Sequence, residues 1–150
     1  MNDTWQAPCK DEKYVHKVIH FVRKQERVRK REPERVFNNG DCGELYYHLK
    51  SVFHCAKPVL YPFECWYEHA YTEIGRKLYD ICYEEHPQMS LRKSNPNNPK
   101  VKHALRDLSY NYKEPNEQMD RDEREVRERK YMQETSKNLK SYIKSDEFLL

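Results

Sequence analysis

Five cysteines, Cys9, Cys42, Cys55, Cys65 and Cys82, stand in a chain of 150 residues that is thinly supplied for a core. Only 37% of the residues are hydrophobic and 35% are charged, against roughly 45–50% and 25% in ordinary soluble domains. A mean hydropathy of -1.20 would suit a disordered chain. The 13% aromatic content, with twelve Tyr, argues against that, because disordered segments are poor in aromatics. Disulfides compensate for a thin core in small domains, and they need an oxidising compartment. The first expectation is therefore a small ordered centre stapled by cysteines, with charged helices extending from it.

Three glycines leave little turn material for a β fold, so the expected class is all-α. Val15, Val18, Ile19 and Val22 lie at helical spacing in a first helix over 11–32, with Pro33 as its stop. Asn38-Asn39-Gly40-Asp41 reads as a loop ending in an N-cap residue. A second helix over 42–57 carries Leu45, Leu49, Val52 and Phe53. A third over 63–85 places Tyr67, Tyr71, Ile74, Leu78 and Cys82 on one face. The loop 94–99 is the clearest boundary, followed by a short helix over 101–112 and a charged, solvated helix after Pro115 laced with i, i+4 pairs. The expected organisation is a basic helical arm (1–37), a helical hairpin (38–93) and a charged helical extension (94–150).

On such a hairpin Cys55 and Cys65 flank the turn, and Cys42 and Cys82 lie at the far ends. Nested pairing is the one of the three connectivities with partners at matching heights. The cysteines on the two helices are 13 and 17 positions apart, which leaves an offset of roughly 6 Å at about 1.5 Å per residue. Cys9 is left over. The first residues, MNDTWQAPCKDE, show neither a secretory signal nor a presequence. An oxidising compartment entered without a cleaved leader is the mitochondrial intermembrane space.

The segment CAKPVLYPFEC, from Cys55 through Ala56, Pro58 and Phe63 to Cys65, is a CX9C unit preceded by the amphipathic run LYYHLKSVFH. The region 42–86 resembles the CHCH family of intermembrane-space proteins, and within it the multi-CX9C accessory subunits of respiratory complex I. It departs from that pattern in spacing, with CX12C and CX16C on the helices and CX9C across the turn. The resemblance implies a structural accessory subunit on the intermembrane-space face of the inner membrane, without catalysis. Subunits of complex III or IV, or an assembly factor, are the neighbouring alternatives.

Other chemistry finds less support. No CxxC spacing suggests zinc, and His16 with His20 is a pair common on helix surfaces. Cys42 with His48 or His54 could form a thiolate–base pair, but no orienting group accompanies it in sequence. No cofactor, metal or catalytic residue is therefore expected. The basic stretch holding Arg23, Lys24, Arg27, Arg29, Lys30 and Arg31, together with Tyr61 and Trp66, is the expected partner-binding surface. Its partners would be other subunits of a membrane complex, with peripheral membrane contact and no transmembrane span. With a net charge of only +3, a nucleic-acid binder is the weaker reading.

Overall fold

The computed structural model describes residues 5–38, 41–61, 69–86 and 95–144. The elements in chain order are α1 (Glu12–Val28), α2 (Pro33–Asn38), α3 (Cys42–Val52), β1 (Lys57–Tyr61), β2 (His69–Ile74), β3 (Lys77–Asp80), β4 (Tyr83–Glu85), α4 (Pro99–Asp107) and α5 (Arg121–Lys144). The four strands form one antiparallel meander in the order β1-β2-β3-β4. The all-α expectation is thus corrected to a mixed fold. No helix among the described residues is long and apolar enough to cross a membrane.

The correction falls on the third expected helix. The sequence from His69 to Ile74 also alternates, and its even members Ala70, Thr72 and Ile74 are the buried ones. Gly75 and Arg76 then take φ of 58° and 73°, the left-handed pair that a two-residue hairpin requires between Ile74 and Lys77. A Cβ on Gly75 would also stand 2.7 Å from the Cys9 carbonyl oxygen. Local turn geometry and close approach of the N-terminal segment together exclude a helix there.

The helical readings elsewhere fare better. Asp11 caps α1, its carboxylate accepting the Lys13 N–H at 3.2 Å. The helix ends at Val28 rather than at Pro33. Lys30 turns left-handed at φ 60°, and Pro33 instead opens α2, where its missing N–H costs nothing. Leu49, Val52 and Phe53 at the end of α3 are fully enclosed with Val18 and Ile19 of α1. The last helix is not simply solvated. Arg121–Glu125 and Glu125–Arg129 are i, i+4 pairs, but Leu139 and Ile143 are buried in the same core as α1 and α3. That core runs from Ala7 to Ile143, across all three stretches into which the sequence was divided.

The expected disulfides are also corrected. Cys55 bonds to Cys9, with Cα atoms 6.5 Å apart, tying the chain before α1 to the end of α3. Cys42 and Cys82 are both free. Cys42 points inward at the start of α3, whereas Cys82 is exposed in the β3–β4 turn. The nested pattern fails because Cys55 leads into a strand, so no second helix faces it. Cys65 lies outside the described residues.

Candidate active site

The triplet Asp41-Cys42-Gly43 sets the start of α3 against two other parts of the chain. The Gly43 N–H donates to the Leu108 carbonyl at 2.7 Å. A Cβ at that position would meet the Leu105 carbonyl oxygen at 2.6 Å and the Ser109 hydroxyl at 2.8 Å. Only glycine lets the end of α4 come this close. Asp41 does not cap α3 with its side chain, as the sequence suggested. Its Oδ1 accepts the backbone N–H groups of Asn111 (2.7 Å) and Tyr112 (2.9 Å) instead, and Oδ2 lies 3.6 Å from Arg31. Burial pushes its carboxyl pKa up, opposed by those two amides and the guanidinium.

Cys42, the first residue of α3, keeps 4% of its surface exposed. Its Sγ accepts the Ala70 N–H at 3.3 Å. The neighbouring residue of β2, His69, is close enough for Cys42 to raise its pKa. His69 Nε2 lies 3.1 Å from Asp80 Oδ2. Continuing the β2–β3 register one step past Thr72↔Tyr79 sets Asp80 opposite Tyr71, diagonal to His69 on the same sheet face. The second Asp80 oxygen accepts the Cys82 N–H at 2.8 Å. The Tyr71 ring stands edge-on to the imidazole with centroids 4.5 Å apart. Cys42, His69 and Asp80 thus come together where the start of α3 meets β2 and β3.

Electrostatics follow this geometry. Burial alone pushes the His69 imidazolium down, but hydrogen bonds to Asp80 and Cys42, with their charges, outweigh it and hold the pKa up at about 9. Glu85 on β4 is raised by burial and by the charge of Asp80, with which it shares a hydrogen bond. One ligand atom each from Asp80, Cys82 and Glu85 lies within 4.8 Å of the others. The two Asp80 oxygens are engaged by His69 and by the Cys82 amide.

The histidines named from sequence lie elsewhere. His48 is enclosed beside Glu128 and Tyr131, and burial pushes it down to about 4. The His54 carbonyl accepts Lys50 Nζ beyond the end of α3. The basic stretch is divided. Arg29 and Arg31 both pair with Glu128, and Arg31 also with Glu26 at 3.0 Å. Arg23 donates to the Ile81 carbonyl at 2.8 Å and pairs with Glu34. Lys24, Arg27 and Lys30 are exposed. Tyr61 ends β1 opposite His69, and Trp66 lies outside the described residues. His69 and Asp80 carry no signature in the sequence. The one available signal was a cysteine opening a helix after a turn, and it was read as half of a disulfide.

Residues 17–142 match the family model described as Phage YunG-like protein. This match, which takes in Cys42, His69 and Asp80, replaces the CHCH resemblance. The mitochondrial and complex I placement that rested on that resemblance has no remaining support. No curated protein and no solved structure matches the chain.

Proposed function

The chain belongs to the Phage YunG-like protein family, and we propose that it is a thiol-dependent hydrolase or acyltransferase acting on an amide or ester. The observation that carries this reading is the row Cys42–His69–Asp80, with the cysteine at a helix N-terminus. Thiol proteases pair Cys with His in this way, and the constellation recurs on unrelated folds, so geometry and not topology identifies it.

The steps follow from the positions. The Cys42 thiolate attacks the acyl carbon, and the protonated His69 donates its proton to the departing amine or alcohol. A thioester remains on Cys42. His69, now neutral, takes a proton from water, or from a second acceptor nucleophile, whose oxygen or nitrogen displaces the sulfur. Asp80 holds the imidazole in one tautomer and stabilises its charged form throughout. The N–H groups of a first helical turn have no intrahelical acceptor, and the helix dipole favours negative charge there. Gly43 and Glu44 donate to Leu108 and Asp41, which makes the Cys42 N–H the candidate oxyanion donor. His69 keeps 17% of its side chain exposed, so the pair is approached from the strand end.

The test compares the wild-type chain with Cys42→Ala, Asp80→Asn and Cys82→Ala on p-nitrophenyl acetate and a panel of peptide amides. Cys42→Ala should lose at least about 10,000-fold in kcat, as nucleophile removal does. Asp80→Asn should lose about 100- to 10,000-fold, and Cys82→Ala should retain activity. Equal turnover by wild type and Cys42→Ala would remove the reading.

A further inference from the structure

A groove of about 400 Å³ lies between α3, α4 and α5, within the size range of small-molecule sites. Its floor includes Tyr46, Tyr47 and Tyr110. Tyr46 is one helical turn from Cys42, about 6 Å along the axis, and packs in the same apolar cluster as Cys42 and Leu105. Tyr110 holds a left-handed φ of 61°, a strained conformation for a bulky side chain of the kind that collects at ligand sites. The rim is formed by Lys102, Arg106 and Arg129, and none of the lining residues described is acidic. Arg129 stands 5.5 Å from the centre of the Tyr110 ring.

The charges at the rim do not balance. Glu125 is approached by Arg129 at 2.9 Å, Arg121 at 3.2 Å and Arg106 at 3.6 Å. One carboxylate cannot neutralise three guanidiniums, and Lys102 adds a fourth cation with an exposed side chain. Aromatic rings below and unmatched cations above suit a chain segment with apolar bulk and a carboxylate.

We infer that this groove is the specificity subsite of the enzyme and that it takes an acidic peptide, seating a substrate carboxylate among Lys102, Arg106 and Arg129. The inference rests on the hydrolase reading for its role and on the groove for its ligand.

Binding is measured first, on the full-length Cys42→Ala chain, with N-acetylated, C-amidated pentapeptide pools carrying Glu or Gln at each position. The Glu pool should bind about tenfold or more tightly than the Gln pool. Lys102→Glu with Arg106→Gln, both at exposed positions of α4, should abolish that preference. Equal binding of the two pools overturns the inference, and so does displacement of the Glu pool by a single-stranded oligonucleotide at lower concentration. Turnover by the active chain is the second readout. In the Lys102→Glu, Arg106→Gln chain, KM for Glu peptides should rise about tenfold with kcat retained. A Glu preference in binding without turnover of any peptide or ester keeps the groove and removes the hydrolase; turnover without a Glu preference does the reverse.

Discussion

The two ends of α3 each carry a cysteine, and they have opposite fates. At the C-terminal end Cys55 is bonded to Cys9 and closes a loop of sequence separation 46. At the N-terminal end Cys42 is free, its sulfur accepts the Ala70 amide of β2, and it raises the pKa of the adjacent His69. The helix dipole favours an anion only at the Cys42 end, and only there does the sheet supply an imidazole with its own carboxylate. One end is therefore built for strength and the other for chemistry, from the same residue type. The difference lies in what the fold brings to each sulfur.

Mutations at the two ends should separate cleanly. The largest effect is the activity lost in Cys42→Ala, with little change in Tm. At the other end, Cys9→Ala with Cys55→Ala should retain kcat yet lose stability. For a loop of this length the chain-entropy model gives about 4 kcal/mol, readable as a fall in the urea midpoint with a rise in the slope m as the denatured chain expands. A double variant that unfolds at the wild-type midpoint would show that the bridge contributes nothing. Gly43→Ala sits between the extremes and should affect both properties. Its Cβ would collide with the Leu105 carbonyl, and overpacking of this kind costs about 1–3 kcal/mol. Because the displaced backbone carries Cys42, kcat should fall as well. A Gly43→Ala chain with unaltered kcat would break the link between α4 packing and the nucleophile.

The comparison also shows why one half of the molecule was legible in sequence. The apolar spacings of α1 and of Leu45, Leu49 and Val52 in α3 define helices without help from distant residues, and those helices form. Over residues 69–82 a helical spacing and a strand alternation coexist. Gly75 and Arg76, which force the hairpin, were the local signal against the helix. Arg29 and Arg31 read as surface cations because Glu128 is 97 to 99 positions away. The site was hidden for a similar reason. Cys42 stood out, but as half of a bridge. His69 and Asp80 meet through the β2–β3 register, which no spacing in the chain announces. Nearby His48 was the obvious partner for Cys42 by sequence, and the fold turns it towards Glu128 and Tyr131 instead.

The smallest effect is a pH dependence that should belong to one end only. Hydrogen bonds to Asp80 and Cys42 outweigh burial and raise His69 to about 9, from an unfolded value near 6.5. Stability from the charged imidazole is therefore fully present below pH ~6.5 and is lost as pH rises through about 9. The general acid goes with it, so kcat/KM should fall on its basic limb near pH 9. Asp80→Asn removes one of the two supporting charges while leaving burial in place, so that limb should move to lower pH. The Cys9→Ala, Cys55→Ala chain should keep the wild-type limb, because nothing at that end touches His69. NMR titration of the His69 ring protons checks the assignment directly. A ring that titrates at its ordinary value in the wild-type chain would mean that the sulfur and the carboxylate do not hold it, and the two ends of α3 would differ in covalent bonding alone.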